Sequence, residues 1–97
     1  MYVILTSKPG QFRTEIGEDM QPIEAYDYLF CGRKRAHFVI ANLSREVKIS
    51  IVDESNPPVV NHVPSKFLQK FDSVEAARRE LSSLTRFREM DSSLVKC

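Results

Sequence analysis

Over the first half of the chain apolar and polar residues alternate in short runs, and near residue 74 the spacing changes to threes and fours. The first pattern is that of strands and the second that of a helix. Residues 2–6 (Tyr-Val-Ile-Leu-Thr) form a β-prone run that stops at Ser7-Lys8-Pro9-Gly10, a turn sequence. Phe12, Thr14 and Ile16 then alternate with Arg13 and Glu15, which predicts the second strand of a hairpin over 11–16. Pro22 ends a polar stretch, so 18–22 reads as a loop.

From residue 24 to 54 the sequence predicts three longer strands, over 24–31, 35–43 and 46–53, joined by tight turns at Gly32-Arg33 and Ser44-Arg45. A two-residue turn with Gly32 first, the preference of type II′, pairs Leu29 with Ala36, Tyr28 with His37 and Tyr26 with Val39. Side chains alternate along each strand, so this register puts Leu29, Cys31, Ala36, Phe38, Ile40, Val47, Ile49 and Ile51 on a core face. The opposite face then collects Tyr26, Tyr28, Phe30, Arg35, His37, Val39 and Ala41. Ser44-Arg45 lacks Gly or Asn, and a one-residue slip there exchanges the assignments of the third strand.

Asn56-Pro57-Pro58 forces an extended connection, Val59, Val60 and Val63 suggest a short edge segment, and 66–71 reads as a sixth strand. The helix, over 73–87, opens on Asp72 with Glu75 three residues later, a capping-box spacing. Val74, Ala77, Leu81 and Leu84 form its apolar stripe, with Glu75, Arg78, Arg79 and Ser82 facing away. The polar end, 88–97, predicts a frayed tail. The expected architecture is therefore α+β, one domain over 1–87: a mainly antiparallel sheet of five or six strands with one C-terminal helix packed on one face.

Composition narrows the function classes. With 42% hydrophobic and 28% charged residues the chain has the balance of a folded domain, and 97 residues leave room for one. Fourteen basic against 13 acidic residues give a net charge of +1, which disfavours a dedicated nucleic-acid binder. Two cysteines, Cys31 and Cys97, make no disulfide framework and read as thiols. No basic leader and no apolar run of membrane-spanning length is present, so the expected location is the cytoplasm, with no membrane partner.

The two histidines and two cysteines form no C-x-x-C or H-x-x-x-H spacing, the expected register puts Cys31 and His37 on opposite faces, and no glycine-rich phosphate loop occurs. We therefore expect no catalytic residue, metal or cofactor. A helix of about 15 residues covers one sheet face, leaving Tyr26, Tyr28, Phe30 and His37 with the basic run Arg33, Lys34 and Arg35 as the candidate binding face. Exposed aromatic and arginine-rich surfaces are characteristic of interfaces. The reading is a non-catalytic interaction or accessory domain, self-associating or bound to a protein partner. The alternatives are a single-stranded nucleic-acid module stacking bases on the same rings, and a pocket for a small apolar molecule between the sheet and residues 56–71. Residues 56–71 could instead fold over the aromatic face and close a second core.

Overall fold

The structure, a computed structural model, describes residues 1–84 and 92–97. In chain order its elements are β1 (Tyr2–Ser7), β2 (Phe12–Thr14), β3 (Met20–Phe30), β4 (Arg33–Leu43), β5 (Lys48–Asp53), β6 (Val59–Pro64), a 3-10 turn (Ser65–Phe67), α1 (Val74–Leu84) and β7 (Ser92–Lys96). The class is α+β and the pairing antiparallel, as the alternating pattern implies. The strands, however, divide into two sheets, β1-β4-β3-β7 and β2-β5-β6.

The long β3–β4 hairpin sets the frame for everything else. Its turn is Cys31-Gly32, with φ of 53° and 73°, the positive pair that marks a type I′ turn. Gly32 is thus the second turn residue, whereas a II′ turn would have it first. The turn pairs Phe30 with Arg33 and Leu29 with Lys34, and a one-residue bulge at Arg35 then sets Tyr28 opposite Ala36, Asp27 opposite His37 and Tyr26 opposite Phe38. Tyr26 and Tyr28 consequently share a face with Ala36, Phe38 and Ile40, the reverse of the expected assignment. Register shifts between Tyr28 and Leu29 and between Pro22 and Glu24 bend the hairpin. The strand reaches back through Pro22 to Met20, where a loop is expected, because β7 spans only Tyr26 to Phe30 and leaves the outer side of Pro22 without a neighbouring strand.

The second tight turn does not form. Ser44 and Arg45 supply no residue suited to positive φ, and they turn instead toward β3, the Ser44 amide donating to the Asp19 carbonyl and Arg45 Nη2 to the Asp19 carboxylate at 3.0 Å. β1 takes the place beside β4 that β5 is expected to fill, with Ile4 opposite Ile40. β5 crosses to the second sheet, between β2 and β6. Residues 59–64 are a full strand, and 66–71 hold a 3-10 turn and a single bridge from Phe71 to Tyr2 in place of a sixth strand.

Both faces of the four-stranded sheet are therefore covered from within the chain. On one, Ala36, Phe38 and Ile40 meet Phe71, Ala77 and Leu81, with Tyr26, Tyr28 and Leu94 packed at the margin. On the other, Val3, Leu5, Met20, Val39, Ala41 and Leu43 meet Ile49, with Val47, Ile51 and Leu68 alongside. Ser65, fully buried, pins the second sheet at one end: its Oγ accepts from the Val47 amide at 2.8 Å and donates to Glu46 at 3.0 Å, and its carbonyl accepts from Lys70 Nζ at 2.6 Å.

Of the predicted stripe, Ala77 and Leu81 are completely buried and Val74 packs beside them, while Leu84, in the last turn, is exposed. Its cap is Ser73, whose Oγ accepts from the Ala76 amide at 3.1 Å, one residue beyond the expected Asp72. Helix positions 85–87 and tail positions 88–91 lie outside the described residues. The rest of the expected tail is β7, which pairs with β3 from Tyr26↔Lys96 to Phe30↔Ser92. No helix among the described residues is long and apolar enough to cross a membrane.

Candidate functional site

The seven residues singled out from sequence fall into three groups. Tyr26 and Tyr28 lie half-buried beneath the helix. The Tyr26 hydroxyl donates to Glu24 Oε1 at 2.6 Å, and Glu24 is gripped by Arg78, whose Nε reaches Oε1 at 2.9 Å and whose Nη2 binds Oε2, with Lys96 Nζ 3.3 Å away. The Glu24 side chain is only 8% exposed. The Arg78 guanidinium, helped by the Tyr26 hydroxyl and Lys96, holds its carboxyl well below the usual carboxylate range. Burial, then the Glu24 carboxylate, push the Tyr26 hydroxyl up. This network ties β3, α1 and β7 together, and its role is architectural.

The second group lies at the hairpin tip, where Phe30, Arg33 and Arg35 sit in or beside the turn and the Arg35 guanidinium stands 6.0 Å from the Phe30 ring centroid. That is the outer limit of a cation–π contact.

The third group is on the opposite sheet face from Tyr26. His37 Nδ1 is 2.7 Å from Asp27 Oδ1, and Lys34 Nζ is 3.2 Å from the same oxygen. Cys97, just past β7, anchors its amide on the Ala25 carbonyl at 2.8 Å. One donor atom each from Asp27, His37 and Cys97 lie within 4.8 Å of one another. His37, then Lys34, keep the Asp27 carboxyl low, while burial and the Asp27 carboxylate push the Cys97 thiol up. Both influences favour the thiol over the thiolate. Sequence reasoning names Lys34 and His37 but neither Asp27 nor Cys97 as their partners. A turn at Cys31-Gly32 alone would set Asp27 opposite Ala36; the one-residue bulge between Tyr28 and Leu29 is what brings Asp27 opposite His37.

Two further surface features bear on function. An apolar cleft of about 140 Å³, lined among others by Leu5, Phe12, Ile49, Ile51 and Leu68, opens at the junction of the sheets. Pockets for drug-sized ligands run from about 300 Å³ upward, so this one suits nothing much larger than a single ring. The other feature is the outer edge of β6. It runs Val-Val-Asn-His-Val-Pro without a charge, no strand among the described residues pairs with its far side, and Val59 and Val60 are 50% and 51% exposed. Phe67, just beyond it, is 72% exposed.

Among the described residues the other three strands that end a sheet are guarded. β1 is bridged to Phe71, β2 is three residues long and carries Arg13, and β7 carries Lys96. Short length, lysine and covering segments are the usual protections of a sheet edge, and β6 has none of them along its first five residues. Compared with known proteins, the chain matches no family model, no curated protein and no solved structure.

Proposed function

We propose that this chain is a non-catalytic interaction domain that self-associates by strand addition at β6. The observation that carries the reading is the uncharged, half-exposed edge of Val59–Pro64, unpaired among the described residues, beside three guarded edges. Two copies related by a twofold axis can pair this strand antiparallel to itself, turning two three-stranded sheets into one of six strands. Backbone hydrogen bonds supply the affinity, and the exposed valines and Phe67 supply apolar contact. Two six-residue edges bury less than a standard interface, so the expected dissociation constant is about 10 μM or weaker.

The aromatic residues first considered for this role do not favour it, since Tyr26 and Tyr28 already pack against the helix cluster. The same burial removes support from base stacking on those rings.

Sedimentation velocity from about 5 to about 500 μM tests the reading, with Val59→Lys/Val60→Lys beside the native chain. The native weight-average coefficient should rise with concentration, and the double variant should stay monomeric with an unchanged circular dichroism spectrum. A native chain that is monomeric throughout, or a variant that associates as strongly as the native chain, overturns it.

A further inference from the structure

We propose that Asp27, His37 and Cys97 form a binding site for a borderline-soft divalent cation, with Zn²⁺ the ion whose preferred donors they match. Three neighbouring strands converge to make it. Asp27 comes from β3 and His37 from the facing position on β4. Cys97 lies two residues beyond Val95, the residue paired with Asp27, so period-2 alternation puts its side chain on the same face. The result is one carboxylate oxygen, one imidazole nitrogen and one sulfur within 4.8 Å of one another.

Zinc takes these donor types at roughly 2.0–2.3 Å in a tetrahedron, which sets donor–donor separations of about 3.3–3.7 Å. The 2.7 Å contact between Asp27 and His37 must therefore open by under about 1 Å and the sulfur must close by a similar amount. Side-chain rotation on fixed strands covers both. A carboxylate, a thiolate and a neutral imidazole balance the two positive charges of the ion. The soft sulfur selects against Mg²⁺ and Ca²⁺, which want all-oxygen shells. The fourth position faces solvent, since the Asp27 and His37 side chains are about a third exposed and Cys97 is exposed. Lys34 is the built-in competitor, its ammonium resting on the same Asp27 oxygen that the ion requires.

The test is a titration of the full chain with Co²⁺ under a non-thiol reductant, reading the thiolate-to-cobalt charge-transfer band, followed by displacement with Zn²⁺. The expected result is one ion per chain, with the band lost in Cys97→Ser, retained in Cys31→Ser, and affinity reduced at least about tenfold in His37→Ala and Asp27→Asn. Lys34→Ala should bind more tightly than the native chain. Circular dichroism of each variant without metal separates loss of the site from loss of the fold. Absence of a thiolate band at millimolar Co²⁺, a band that survives Cys97→Ser, or an affinity indifferent to His37→Ala overturns the proposal.

Discussion

Cys31 opens the β3–β4 turn from an unfavourable backbone region. Its φ of 53° is one that residues with a Cβ avoid, at a cost of about 1–2 kcal/mol relative to the right-handed region. Asparagine tolerates that conformation and is the usual first residue of a type I′ turn. Cys31→Asn should therefore stabilise the fold by about 1 kcal/mol in chemical denaturation; a loss of stability would contradict the turn assignment. The register was hard to read from sequence for the same reason. A cysteine does not announce positive φ, and Gly32 fits either the first position of one turn type or the second of the other. That change of turn moves the partners by two and keeps the faces; the bulge at Arg35, between the Tyr28 and Leu29 pairs, adds the single-residue step that exchanged Tyr26 and Tyr28 with Asp27 between the faces.

Ser65 makes a second residue-scale case. It is completely buried and bonded to Val47, Glu46 and, through its carbonyl, Lys70. Ser65→Ala leaves the Val47 amide without its acceptor, which should cost about 1–3 kcal/mol. A urea midpoint equal to that of the native chain would show that water replaces the hydroxyl.

Among the elements, the helix was the most legible, because its stripe of Val74, Ala77 and Leu81 repeats over about two turns and needs no tertiary context. Arg78 was legible only as an outward residue. Its partner, Glu24, lies 54 positions away, and no local pattern reports such a pairing. The Glu24 network gives this packing a pH signature. The Arg78 guanidinium, the Tyr26 hydroxyl and Lys96 depress the folded-state pKa of Glu24 below its ordinary 4.5. Ionised Glu24 therefore stabilises the fold fully above the unfolded-state value, and the contribution is lost as pH falls toward the folded one. Glu24→Gln should be less stable than the native chain near pH 7, and the gap should narrow as pH falls below about 5. Urea melts at the two ends of that window measure it, and a gap independent of pH would mean that Glu24 acts through packing rather than charge.

The strands at the C-terminal side were less legible than the helix for a different reason. Ser92–Lys96 is short and half polar, and becomes a strand because the outer side of β3 offers it Tyr26 to Phe30 as a template. Similarly, β5 alternates well enough to be recognised. Its choice of β2 and β6 over β4 is made by β1, which occupies the competing edge through Val3, Leu5 and Ile4. Pairing partners are a property of the assembled molecule, and the alternation of a single strand is compatible with several.

At the scale of the whole molecule, α1 and the second sheet cover opposite faces of the first, leaving surface function to edges and to the hairpin end. This arrangement separates two consequences that one aromatic face would have merged. Tyr28→Ala should destabilise the fold by up to about 3 kcal/mol, because the half-buried ring packs against the margin of the helix-side core, while leaving self-association of the folded protein intact. Changes at Val59 and Val60 should do the reverse.

Hydrogen exchange of β6 at two protein concentrations tests the edge most directly, since strand addition must protect its outward amides. Within Val59–Val63 the amides not bonded to β5 should exchange freely in the dilute protein and slow several-fold or more when it is concentrated, while the exposed hairpin tip around Gly32 shows no change. Equal exchange of β6 at both concentrations, in a protein that sediments as a dimer at the higher one, would contradict strand addition and move the interface elsewhere.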